Sequence, residues 1–209
     1  MSLVVTVFRK GKDFTEDHVK WVGRQLPEGT RYACISKEPI EGVEWIPMKY
    51  DYPGWWSKME LFTIQEPFVF FDLDTAIIDD ITFLLNCDES TILRDWYHTG
   101  MVNSSVMRVE PILAERIWNA WIVSPDRFMA NHSVGGDQEF ICPFFNGVPR
   151  IQDLYPGKFC SYKVSVVGPD QEHYCHRSTG NGSVPNGVAV VCFHGTPRPW
   201  DLKYSWIPK

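Results

Sequence analysis

Residues Pro67 to Phe71 run PFVFF without a polar break and end abruptly in Asp72-Leu73-Asp74. A strand that is apolar at every position, not at alternate ones, is buried on both faces, and such strands belong to parallel sheets covered by helices. Polar groups just past the carboxyl end of a buried central strand are where open α/β sheets place their ligand chemistry. The flanking segments agree with this architecture. Leu3 to Phe8 is a β-branched run, followed by the turn-like Arg9-Lys10-Gly11-Lys12. Thr15 is placed to cap a helix, with Glu16 and Asp17 in its first turn and Val19, Val22 and Leu26 at i, i+3, i+7. Arg31 to Ser36 then reads as a second strand that closes a βαβ crossover, and Val43 to Met48 as a third.

Further along, Pro53 and Gly54 punctuate YDYPGWWSKMELF, and the spacing predicts a helix with Trp55, Met59 and Phe62 on one face. Met101 to Val109 is a strand candidate. Pro111 suits the first position of a helix in which Leu113, Ile117 and Trp121 recur at i, i+4, i+8. The last third is rich in Gly, Pro and Asn, with strands expected over Ser161 to Val167 and Val188 to Phe193. No internal repeat or linker divides the chain, so residues 1–209 are read as a single α/β domain.

Twenty Lys+Arg against 26 Asp+Glu give a formal net charge of −6, which disfavours extended nucleic-acid binding. No window approaches the roughly 20 apolar residues of a membrane helix, and the N-terminus reads as a strand and not a signal peptide. The six cysteines (Cys34, Cys87, Cys142, Cys160, Cys175, Cys192) are scattered without a CxxC pair, which suits reduced thiols and a cytoplasmic location. His173, Cys175 and His176 form a local cluster whose spacing fits no structural zinc pattern, and a polar loop is the simpler expectation.

Asp72 and Asp74 carry the chemistry. Two carboxylates separated by one residue at a strand end can converge on a hard cation, and buried carboxylates need a metal, a positive partner or a raised pKa. Two enzyme classes use such a strand end. In haloacid-dehalogenase-like phosphatases the first Asp is a nucleophile and the second a general acid/base. In metal-dependent glycosyltransferases the pair holds a divalent ion that bridges a nucleoside diphosphate. The phosphatase pattern places its carboxylates after the first strand, whereas about 70 residues precede Asp72 here. A noncatalytic nucleotide-sugar-binding protein is a third possibility that motifs alone leave open.

Four blocks decide between the first two: Asp72-Leu73-Asp74, Asn103-Ser104-Ser105-Val106, Gly136-Asp137-Gln138-Glu139, and Phe193-His194-Gly195-Thr196-Pro197-Arg198-Pro199-Trp200. Their content and order resemble glycosyltransferase family 8, the glycogenin-like and lipopolysaccharide galactosyltransferase-like enzymes. The final block is the most specific of the four. The segment Trp55 to Phe62 and Ser161-Tyr162-Lys163 look like pieces of a short bacterial and phage branch of that group. Two positions depart from the family pattern: Ser105 stands where Gly usually follows, and Arg198 where Lys is usual. The chain is also shorter than typical members.

The resemblance implies a GT-A-like, Rossmann-type mixed central sheet flanked by helices. It further implies a retaining enzyme that moves a sugar from a nucleoside-diphosphate sugar, expected to be a UDP-sugar, to an unknown acceptor. Asp72, Asp74 and His194 would hold Mn²⁺, or Mg²⁺, since carboxylate oxygens plus one imidazole suit these ions. Thr6, Phe8, Lys58, Leu73, Gly195 and Arg198 are the expected nucleotide-binding set. Gly195 permits close backbone approach, and Arg198 offers a planar fork for phosphate oxygens. Asn103, Ser104, Asp137 and Gln138 are the expected sugar-binding set, and Asp137 and Gln138 are also the expected catalytic residues. Gln138 is a poor nucleophile. Trp55 and Trp56 are candidates either for a sugar-stacking wall or for the core, and Lys163 either for ligand contact or for a strand surface.

Overall fold

The structure, a computed structural model, describes residues 2–11, 13–169 and 177–209; the candidate cluster His173, Cys175 and His176 lies outside them. Strands β1 (Leu3–Phe8), β2 (Tyr32–Ser36), β3 (Glu44–Pro47) and β4 (Phe68–Phe71) run parallel. After β5 (Thr75–Ile77) come β6 (Thr91–Arg94) and β7 (Val102–Val109); β7 pairs antiparallel with β4 and β6 antiparallel with β7, giving the order β3-β2-β1-β4-β7-β6. A smaller sheet has the order β5-β9-β8, built with β8 (Phe159–Ser161) and β9 (Val190–Cys192). The fold is therefore mixed α/β, as the sequence predicts.

The PFVFF run explains why two cores meet at β4. Side chains alternate across a strand. Phe68 and Phe70 pack with Val5, Ile35, Phe62 and Trp121 on one face, while Val69 and Phe71 pack with Leu84, Val106, Phe159 and Val190 on the other. All four strand residues are fully buried, and a buried Phe stabilises by about 1.5–3 kcal/mol relative to exposure.

Among the described residues the α-helices are α1 (Glu16–Arg24), α2 (Thr82–Leu85), α3 (Pro111–Trp121), α4 (Pro125–Asn131), α5 (Gly136–Ile141) and α6 (Ile151–Leu154). Helix α1 starts after Thr15, whose backbone N–H donates to His18 Nδ1 at 3.1 Å. It stops at Arg24, so Leu26 packs on the core from beyond the helix and not as its last turn. In α3, Pro111 occupies the first turn, and Leu113, Ile117 and Trp121 are buried as their spacing predicts.

The segment Gly54–Thr63 departs from expectation because it is a 3₁₀ helix. With three residues per turn, side chains at i and i+3 eclipse. The buried face is therefore Trp56, Met59 and Phe62, while Trp55 is half exposed on the same side as Lys58. A buried carboxylate anchors the chain entering this helix: Glu60 accepts hydrogen bonds from the backbone N–H groups of Lys49, Tyr50 and Asp51 at 2.6, 3.0 and 3.0 Å.

Ser161 to Val167 also departs from the expected strand. The strand ends at Ser161, and a π-helical turn spans Tyr162–Val166. Ser161 Oγ accepts from the Val164 N–H at 3.3 Å, a local bond that offers the backbone an alternative to the ladder.

Candidate functional site

The link between β4 and β5 passes from the large sheet to the small one, and Asp72-Leu73-Asp74 is that link. The Asp72 N–H donates to the Ser105 carbonyl at 2.8 Å, which extends the β4–β7 pairing and lays Asn103-Ser104-Ser105 beside the acids. On the other side β5 pairs antiparallel with β9, with Thr75 opposite Cys192. Past the end of β9 the chain carries His194 into the cavity that Leu73 and Asp74 line, although 120 residues separate His194 from Asp74 in sequence. Pairing across the sheet junction thus gathers the first, second and fourth blocks.

The third block arrives on α5. Pairing of β6 with β7 skips from Ile92–Met107 to Leu93–Asn103, a bulge that leaves the intervening β7 residues free of β6. The Ser104 N–H donates to Gln138 Oε1 at 3.2 Å, and the Ser105 N–H to Asn103 Oδ1 at 3.0 Å. Asp137 follows Gly136, whose φ of +63° suits glycine.

All four blocks line one cavity of about 760 Å³. Asp72, Leu73 and Asp74 form its acidic wall, Asn103, Ser104, Asp137 and Gln138 a polar wall, and His194, Gly195 and Arg198 a third. Lys58 reaches in from the 3₁₀ helix. Its Nζ lies 2.9 Å from Asp72 Oδ1, 3.3 Å from Ser104 Oγ and 3.8 Å from Asp137 Oδ2. The last distance is that of an ion pair and too long for a hydrogen bond, which leaves Asp137 Oδ2 buried without a hydrogen-bond partner.

Two expected residues lie elsewhere. Thr6 is buried with its hydroxyl 2.9 Å from the Tyr32 hydroxyl, and Phe8 packs in the core with Val22, Cys34 and Phe193. Strand alternation gives the cavity their neighbours instead: Val7 and Arg9 line it, with Phe14 beyond the turn. Trp55 lines the cavity, whereas Trp56 stacks on Trp121 in the core with ring centroids 5.1 Å apart. Trp200 has a structural role: it stacks on His18 at 3.6 Å and docks the final block on α1. Lys163 Nζ donates to the His194 carbonyl at 2.6 Å and holds that wall in place.

One residue escaped the sequence reading. Asp95, buried just past β6, accepts from the N–H groups of Tyr97 and His98 at 2.8 Å. Its other oxygen lies 3.5 Å from both Asn103 Nδ2 and Gln138 Nε2, tying the sugar-binding candidates together. Its sequence signal is weak: it follows the short strand Thr91 to Arg94, which holds two polar residues and ends in Arg94, so no all-apolar run points to it.

Burial sets the electrostatics. Asp74 is pushed up to about 7 by burial and by the neighbouring Asp72 charge, against the opposing pull of Arg198, whose Nη1 donates to Asp74 Oδ2. Burial also raises Asp137, with Lys58 opposing. Lys58 moves the other way: burial disfavours its charge, but Asp137 and Asp72 outweigh that and hold it protonated. His194 is lowered to about 4 by burial, so its imidazole is neutral at pH 7, and its Nε2 is buried without a hydrogen-bond partner.

These groups can be tested against a divalent ion. Among the described residues no three His, Cys, Asp or Glu side chains are gathered as a metal cluster, and Asp72 and Asp74 are each engaged by a cation. The donor types nevertheless fit: two carboxylates close enough to perturb one another and a neutral imidazole with an unpartnered nitrogen.

The sheet order, the crossing to the small sheet and the cavity at that crossing define a GT-A glycosyltransferase fold. Comparison with solved structures bears this out. Glycosyltransferase GlyE of Streptococcus pneumoniae TIGR4 superposes with a TM-score of 0.64 over 96% of this chain at 10% identity. An active-site mutant of LgtC gives 0.62 over 95% at 12%, and the galactosyltransferase LgtC in complex with donor and acceptor sugar analogs gives 0.59 over 95% at 11%. The chain spans 57% of the GlyE chain and 89% of the LgtC chain. No family model and no curated protein matches the sequence.

Proposed function

We propose that the chain is a divalent-metal-dependent, retaining glycosyltransferase that takes its sugar from a UDP-sugar. The observation that carries this reading is the convergence of four separated sequence blocks and Lys58 on one cavity, each acid of the Asp-x-Asp pair facing a cation. The phosphatase alternative loses its support, because the fold is that of the GT-A enzymes.

Asp72, Asp74 and His194 are the residues to hold Mn²⁺ or Mg²⁺. Such an ion supplies positive charge where the leaving diphosphate accumulates negative charge. The chain's own groups do the rest. Arg198, its guanidinium 4.8 Å from the centre of the Phe14 ring, and Lys58 are placed to turn from the carboxylates toward phosphate oxygens. Gly195, at φ +76° with open space where a side chain would stand, lets the backbone approach the diphosphate. Asn103, Asp137 and Gln138, tied through Asp95 and Ser104, orient the sugar. The net charge of −6 does not oppose a polyphosphate ligand when carboxylates recruit a cation.

Calorimetry with UDP, with and without Mn²⁺, tests the reading. Wild type is expected to bind UDP in a Mn²⁺-dependent way, and Asp74→Ala and His194→Ala to weaken it at least tenfold, about 1.4 kcal/mol. A wild type that ignores UDP with Mn²⁺ overturns the function, and unchanged affinity in both variants overturns the site. UDP binding without sugar release from any UDP-hexose would reduce the protein to a nucleotide-sugar-binding module.

A further inference from the structure

The cavity has an apolar rim that the donor chemistry leaves unused. Trp55 lies one 3₁₀ turn before Lys58 and is 50% exposed, and Val134, also lining the cavity, is 94% exposed. The indole lies against the start of α5. A Cβ added to Gly136 would stand 2.5 Å from Trp55 Nε1 and 2.8 Å from Cδ1, so the ring rests directly on backbone that no side chain covers. The next residue is Asp137, which is buried. A half-exposed aromatic surface therefore stands at the mouth of the cavity, beside the polar groups proposed to hold the donor sugar.

We propose that Trp55 is the stacking platform of an acceptor subsite and that the acceptor presents a pyranose ring. The inference rests on the proposed function. A pyranose has one face of C–H groups that packs on an aromatic ring, while its hydroxyls remain free for polar neighbours and water. The donor's own sugar is not the occupant, because its candidate partners Asn103 and Asp137 are buried on the floor, and the acceptor must enter from the mouth. A protein partner is not the occupant either. A stable protein interface buries about 800 Å² per side, far more than one indole and one valine provide.

Saturation-transfer NMR with methyl glucopyranoside, methyl galactopyranoside and methyl mannopyranoside, in the presence of UDP and Mn²⁺, tests the platform. Wild type is expected to saturate the ring protons of at least one, Trp55→Ala to bind it at least tenfold more weakly, and Trp55→Phe to restore most of the loss. UDP affinity and thermal midpoint, measured on the same samples, report whether each variant is folded. Absence of transfer to all three sugars in wild type, or equal transfer in folded Trp55→Ala, overturns the inference. Trp55-dependent sugar binding in a protein that ignores UDP would leave the platform standing and overturn the proposed function instead.

Discussion

The two walls of the cavity that meet where Arg198 donates to Asp74 are held by different means. The acidic wall, Asp72 to Asp74, leaves the fully buried β4 and is fixed by backbone pairing: Asp72 to Ser105 on one side, Thr75 to Cys192 on the other. The wall from His194 to Arg198 follows a strand of only three residues and is fixed by side chains. Lys163 holds the His194 carbonyl, Asp201 accepts from the Arg198 N–H at 2.8 Å, and Trp200 stacks on His18. Backbone ladders place carboxylates whatever their neighbours are, whereas side-chain tethers can be cut one at a time. The acids should therefore fail only with the fold, and the imidazole and guanidinium should be separable from it.

The largest expected effect breaks the acidic wall at its foundation. Phe71→Ala empties a fully buried site behind Asp72 and should cost about 3–5 kcal/mol in urea unfolding. Next, Glu60→Ala strips three backbone N–H groups of their common acceptor and should cost about 1–3 kcal/mol. Its damage should extend to UDP affinity, since the 3₁₀ helix carries Lys58. Lys163→Met should cost less, about 1 kcal/mol, yet weaken Mn²⁺-dependent UDP binding several-fold. If Lys163→Met destabilises the protein as much as Phe71→Ala, the distinction between the walls fails.

The smallest effect is a pH dependence in metal-free protein. Burial lowers His194 to about 4, so the folded state holds fewer protons than the unfolded state, in which an ordinary imidazole titrates near 6.5. Stability contributed by neutral His194 is present above about 6.5 and is lost as pH falls toward 4. Asp74, raised to about 7, acts in the opposite sense: its protonated form favours folding at low pH, and that contribution disappears as pH rises toward 7. Relative to wild type, His194→Asn should gain in thermal midpoint as pH drops from 6.5 to 4, and Asp74→Asn should gain as pH rises over the same range. Differences that do not change with pH would show that neither group titrates as described.

Much of this was legible in the sequence for local reasons. The unbroken run at Phe68–Phe71, the β-branched β1 and the Pro111-led α3 each state their own burial pattern, so strand, helix and core face followed. The acid pair was readable because its position, at the end of an all-apolar strand, is itself local. Period was not readable from composition in Gly54–Thr63: Trp55-Met59-Phe62 satisfies an α-helical stripe, Trp56-Met59-Phe62 a 3₁₀ one, and both are apolar. Thr6 and Phe8 were misplaced by one residue of strand phase, which sends a side chain to the opposite face. Asp95 was missed because its role depends on Asn103 and Gln138, which come near it only after β6 and β7 pair.

By itself, then, the sequence determined a parallel α/β core and a pair of carboxylates at the end of its central strand, since apolar runs and turn residues act within a few positions of themselves. Only the tertiary structure decided that Arg198 meets Asp74, that His194 lines the same cavity as the acid pair, that Lys58 stands between Asp72 and Asp137, and that Trp55 faces the cavity while Trp56 faces the core. Those outcomes depend on which strands pair, in what register and with what helical period. Such choices are settled by burying both faces of β4 at once, which no single segment can do alone.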